Sequence, residues 1–162
     1  MNKLMLVLVA SACCLAFSMN ASAQQADQAT TDAVIAMVKA QWVAEIKDPT
    51  SVTEQMKDAS DDYTEFNGDY ATRLDGKAMN SHLAEAAGKA SGKTVAAEMA
   101  NPKVQVYNGN TAVLTYNYVG VTQDKDGKNE PARAKSTRVF VKKGDKWVMV
   151  HANFGADPAP KQ

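Results

Sequence analysis

The apolar positions along the chain change period once. Val34, Val38, Trp42 and Ile46 recur every fourth residue, with Ile35 and Met37 beside them, which predicts an amphipathic helix from Thr31 to Lys47. Asp48-Pro49 ends it. Ser51-Val52-Thr53-Glu54 has the spacing of a capping box and predicts a short second helix over SVTEQM. DDYTEFNGDY reads as a strand running into an Asn67-Gly68 turn. Met79, Leu83 and Ala86 share a face and predict a third helix from near Gly76, broken by Gly88 and Gly92.

From Thr94 onward the pattern turns twofold. TVAAEMANPKVQVY carries Pro102, which donates no ladder bond and so marks a bulge or bend within one long strand. Asn108-Gly109-Asn110 makes a tight hairpin into TAVLTYNYVGVT. A longer turn from Asp124 to Asn129 leads to ARAKSTRVFVKK, and Gly144-Asp145 to the last strand, KWVMVHANFG. Helices first and a meander afterwards is an α+β pattern. Strict alternation in the last strand sets Trp147, Met149, His151 and Asn153 on one face and Val148, Val150, Ala152 and Phe154 on the other. Neither row is a solvated one. A domain of this size covers one sheet face with its own helices, so the other face calls for a second copy of the chain.

A composition 45% hydrophobic and 22% charged is that of an ordinary globular domain. Lys plus Arg and Asp plus Glu balance at 18 each, without a run of like charges, which disfavours nucleic acid as a partner. At the N-terminus, Lys3, the apolar LMLVLVASACCLAF and Ala21-Ser22-Ala23 form a secretory signal peptide over residues 1–23. Residues 24–30 read as a flexible lead-in, 31–158 as the domain and 159–162 as a tail. The expected location is the periplasm or the exterior. A lipoprotein anchored through Cys13 or Cys14 ranks lower, because a large aliphatic residue is missing three places before either. Both cysteines fall in the removed segment, so the mature domain forms no disulfide and carries no thiol nucleophile. With two histidines and no calcium-loop spacing at Asp124–Gly127, neither a metal nor a cofactor is implied.

Asn101-Pro102-Lys103-Val104-Gln105-Val106, Asp126-Gly127, Thr137-Arg138-Val139 and Gly144-Asp145-Lys146-Trp147 with Val150-His151 and Pro158 resemble, in order and spacing, one known module. It is the association domain of calcium/calmodulin-dependent protein kinase type II, in the nuclear transport factor 2-like, or SnoaL-like, superfamily. The detailed resemblance covers residues 94–158 and does not extend to a kinase, so no phosphoryl transfer is implied. It implies a cone-shaped α+β fold, with N-terminal helices packed in a curved antiparallel sheet, a pocket at the wide end and an outer sheet face that pairs with a second subunit. It also implies that Arg138 and His151 lie towards the cavity. Where the similar domain has a second arginine, this chain has Tyr118, which shifts the expected ligand away from strong anions.

On this reading the pocket residues are Arg138, His151, Asn153, Tyr116, Tyr118 and Trp147. The residues alone leave alternatives open: His151 as a core histidine, Arg138 paired with Asp61, Asp62 or Glu65, the two tyrosines as packing, and His82 as an exposed histidine on the third helix. The expected function is an exported, non-catalytic domain that binds a small organic molecule or carboxylate, or associates with itself as a homodimer or higher oligomer. The competing reading is an isomerase, cyclase or dehydratase with His151 as general base, Tyr116 or Tyr118 polarising a carbonyl and Asp62 or Glu65 orienting the imidazole. A third is a structural oligomer with a residual cavity.

Overall fold

The computed structural model describes residues 27–90 and 92–157. The expected signal peptide, its cysteines and the tail lie outside the described residues. Helix α1 spans 27–47, so residues 27–30, expected as lead-in, are helical. Two hydrogen bonds tie this turn to the next: Gln28 Nε2 donates to Asp32 Oδ1 at 2.9 Å, and Thr31 Oγ1 to the Asp27 carbonyl at 2.9 Å. Val34, Val38 and Trp42 form the buried stripe.

After α1, Asp48 Oδ1 accepts the Thr50 N–H and hydroxyl, at 2.9 and 2.7 Å, and turns the chain. The next helix, α2 (Val52–Gln55), is a single turn. The expected capping box is not formed there. Ser51 sits at φ −83°, ψ 64° and makes no capping bond, while Glu54 turns to Lys57 at 3.4 Å. Gln55 does the local work instead, donating to the carbonyls of Asp48 and Pro49 at 3.2 and 3.1 Å.

Strand β1 (Ala59–Asn67) is followed by the short β2 (Leu74–Asp75) and helix α3 (Lys77–Ala90). The buried face of α3 is rotated from the expected one. Met79 is 51% exposed, whereas Asn80 is buried and bonded through Nδ2 to the Gly76 carbonyl at 2.9 Å. Gly88 does not break the helix. A side chain there would run into the backbone carbonyl of Pro49, so glycine lets α3 lie directly against the α1–α2 connection.

Four long strands complete the sheet: β3 (Lys93–Tyr107), β4 (Thr111–Gln123), β5 (Asn129–Lys143) and β6 (Lys146–Ala156). Their order is β2-β1-β6-β5-β4-β3. All neighbours are antiparallel except β1 and β6, which run parallel, so the sheet is mixed instead of wholly antiparallel. The Pro102 bulge is present as a register shift between Ala100 and Lys103, with Asn101 at φ 51°. Asn108 and Gly109, at φ 51° and 67°, make the tight hairpin whose twist matches the strands.

A second bulge was not legible in the pattern. Phe140 pairs with Met149 and Val139 with His151, which leaves Val150 as the extra residue of β6. Beyond it the alternation is inverted. Met149, Ala152 and Phe154 face α1, together with Leu114, Tyr116, Arg138 and Phe140. His151 and Asn153 fall on the outer row with Val139 and Thr137.

Candidate functional site

A cavity of about 480 Å³ opens between the inner sheet face, α1 and α3. Its chemistry centres on Arg138. Flanked by Val139 and Phe140 on a central strand, Arg138 is 3% exposed. Nε donates to the Tyr116 hydroxyl at 2.9 Å, and Nη1 to Gln41 Oε1 at 2.6 Å and to the Met149 sulfur at 3.3 Å. The guanidinium also lies over the Phe154 ring, 5.1 Å from its centroid. All these partners are neutral. Among the described residues no carboxylate forms an ion pair with Arg138, and Nη2 makes no hydrogen bond. A buried cation held in this way retains most of its capacity to attract an anion.

Along the same wall, Trp42 stands edge-on to Tyr116 and Tyr118, with ring centroids 5.7 and 5.5 Å apart. Tyr118 folds over Gly120, whose missing side chain leaves room for the phenol. Burial, and then the charge of Glu45, push the Tyr118 hydroxyl above its ordinary pKa, so it stays protonated. Glu45 Oε1 accepts a 2.7 Å hydrogen bond from Thr94 Oγ1. Opposite, Glu65 uses both oxygens, taking the Tyr63 hydroxyl at 2.7 Å and Asn67 Nδ2 at 3.1 Å.

Of the residues expected to line the pocket, Arg138, Tyr116 and Tyr118 are brought together in it. The other three are not. Trp147 packs against the hydrophobic core and does not line the cavity. His151 and Asn153 lie across the sheet because the Val150 bulge turns them outward. There His151 Nδ1 is hydrogen-bonded to Thr64 Oγ1 at 2.9 Å, and its ring meets Phe66 edge-on at 5.9 Å. The arrangement with His151 as base therefore does not assemble: the imidazole and the two tyrosines occupy opposite faces. Nor does Asp62 orient it, being exposed and 3.9 Å from Lys143. His82 is exposed on α3.

The structure adds Gln41, Glu45, Thr94 and Phe154 to the site. Gln41 and Glu45 flank Trp42 one helical turn apart, a polar pair beside the core stripe that would have signalled a wet groove. Phe154 carried no such sign.

A long helix laid across the inner face of a six-stranded sheet, with a cavity floored by a buried polar group, defines the cone-shaped nuclear transport factor 2-like fold. Residues 31–158 match the model of the calcium/calmodulin dependent protein kinase II association domain, and the chain belongs to that family. Among solved structures, the association domain of C. elegans CaMKII superposes with a TM-score of 0.64 at 17% identity, covering 80% of this chain and 98% of the other. The CaMKII hub homology domain of Chlamydomonas reinhardtii gives 0.65 at 18%, covering 80% and 99%. An NTF2-like protein of Pseudomonas putida gives 0.66 at 15%, covering 80% and 88%. At these identities the likeness is one of fold. No curated protein sequence matches the chain.

Proposed function

We propose that this protein is an exported, self-associating binding domain whose cavity takes a small organic carboxylate and performs no chemistry on it. One observation carries the reading: a guanidinium 3% exposed, held by neutral partners, with Nη2 unbonded at the cavity. Burying an unneutralised cation is costly, and a carboxylate ligand offsets that cost with charge-assisted hydrogen bonds. The aromatic and aliphatic walls, Trp42, Tyr116, Phe154 and Leu83, suit the carbon skeleton of such a ligand.

Self-association rests on the outer face of the sheet. Val113, Val139, Val141 and Val148 stand in neighbouring registers there, flanked by Thr115, Thr137 and Phe66, the last 48% exposed. An apolar patch of this kind fits a second copy related by a twofold axis. The family's association and hub domains support the same reading. Export rests on the N-terminal pattern of Lys3, the apolar run and Ala21-Ser22-Ala23, and predicts a mature protein beginning at Gln24 by mass spectrometry.

Thermal unfolding against a panel of small carboxylates and their matched amides tests the binding reading. A ligand at about a hundred times its Kd adds roughly 2.7 kcal/mol. Carboxylates that raise the melting temperature while their amides do not support it. No shift with any carboxylate refutes it.

A further inference from the structure

His151 stands on the outer face of the sheet, the face on which self-association rests. Its neighbours in register are Val139 on β5 and Thr64 on β1, and the next pair along is Asn153 with Phe66. Nδ1 is hydrogen-bonded to the Thr64 hydroxyl at 2.9 Å and the Phe66 ring meets the imidazole edge-on, so the ring is held in one orientation. Its other nitrogen, Nε2, makes no hydrogen bond among the described residues.

The field around the imidazole is uncharged. The outer row of β4 runs Val113, Thr115, Asn117, Val119 without an ionisable group, and β5 adds Thr137, Val139 and Val141.

Charged groups of the adjoining strands lie at the ends of these rows or are already engaged. On β5, Lys135 and Lys143 flank the uncharged stretch, and Lys146 opens β6. Asp61 and Asp62, near the start of β1, are exposed, the latter 3.9 Å from Lys143. Glu65 belongs to the inner row and accepts from Tyr63 and Asn67. On β2, Asp75 stands opposite Thr64 but is gripped by Arg73 at 2.7 and 3.3 Å. The hydrogen bond from that guanidinium holds the Asp75 carboxyl below its ordinary pKa, and the two charges cancel. Among the described residues no carboxylate contacts His151, and the lysines at the row ends repel a positive charge there.

Such a face accepts a neutral imidazole and penalises a protonated one. When a second copy covers it, the ring loses water, and burying a charge without a partner is costly. A twofold axis doubles the penalty, because the interface then holds one imidazole from each copy.

We propose that the contact between two copies of this chain is acid-sensitive, with His151 as the group whose protonation separates them. This rests on the self-association reading above and adds its regulation. Imidazole is the one side chain whose unperturbed charge change falls between about pH 5 and 8, so the contact opens within that range.

Sedimentation equilibrium of the protein at about pH 7.5 and about pH 5.5 is the test, with circular dichroism recorded at both. The dissociation constant of the oligomer should rise at least ~10-fold at the lower pH while the fold is retained. The chain has two histidines, so His82→Gln leaves His151 as its single imidazole and should keep the full acid effect. His151→Gln and His151→Phe, uncharged at either pH, should each associate equally tightly at both, and either one suffices where the other fails to fold. Equal association of the unmodified protein at the two pH values overturns the switch and leaves self-association standing. The switch is also overturned by an acid effect that survives in a His151 variant, disappears in His82→Gln, or comes with loss of the circular dichroism signal. A monomer at both pH values overturns the switch and the self-association reading together.

Discussion

Arg138 donates from Nε to the hydroxyl of Tyr116 on the adjacent strand, at 2.9 Å. This bond, with the one from Nη1 to Gln41, fixes the guanidinium plane of a residue that lines the cavity and leaves Nη2 without a hydrogen-bond partner among the described residues. On the proposed reading, this orientation suits a carboxylate partner that the protein does not itself supply. The proposed binding role and a role in stability separate experimentally.

Arg138→Met is expected to leave the ligand-free protein within about 1 kcal/mol of the original, since relief of a buried charge offsets the lost bonds to Tyr116 and Gln41. The ligand-induced rise in melting temperature should vanish. Chemical denaturation that shows a loss above roughly 3 kcal/mol instead would make Arg138 a structural strut.

Val139→Asp places a carboxylate at the centre of the outer row, between Val113 and His151. Sedimentation at micromolar concentration should show the oligomer dissociating, with circular dichroism unchanged. An oligomer that survives the substitution locates the contact elsewhere.

Gly88→Ala tests the close approach of α3 to the Pro49 carbonyl. Helix propensity alone favours alanine by about 1 kcal/mol. The clash is with backbone and cannot be relieved by a side-chain rotation. The expected net effect is a loss of about 1–2 kcal/mol in denaturant unfolding. A gain in stability would show that the helix and the connection slide apart freely.

Tyr63 gives the fold an alkaline limit. Burial, and then the neighbouring Glu65 charge, raise its pKa far above the ordinary value of 10.0. The folded pKa exceeds the unfolded one, so this stability is complete below about pH 10 and is lost as pH rises towards the folded value. Unfolding free energy should fall above pH ~10. The fall should be shallower in Tyr63→Phe, which also loses about 1 kcal/mol at neutral pH with its bond to Glu65. Equal slopes in the two proteins would exclude Tyr63 as the cause.

The elements legible in the sequence were those whose cause is local. The Val34–Val38–Trp42 stripe, the Asn108-Gly109 hairpin and the Pro102 bulge each follow from the residues that form them. Alternation puts Tyr116 and Tyr118 on one face and the resemblance puts Arg138 towards the cavity; the three share a face because β4 and β5 pair without a shift from Thr111 to Gln123. The last strand was legible as a strand, but the facing of its residues beyond Met149 was not. Val150 is a good strand former and gives no hint that it bulges, yet that one extra residue exchanges His151 for Phe154 in the cavity wall. Gly88 misled for a related reason: its role depends on a carbonyl thirty-nine positions away. The partner of β1 was hidden as well, since a strand pattern does not say which distant strand it will join.

That partnership governs when the molecule can form. β1 lies parallel to β6, and Thr64 meets His151 across 87 positions of sequence. The wall holding Glu65 is therefore not secured until the final strand docks beside it. Contacts between such distant segments carry a large chain-closure cost before they return any stabilisation, which slows folding. A nascent chain that has released β1 through β5 still lacks its central seam, and remains open to chaperones and to proteases until the 11 residues of β6 emerge.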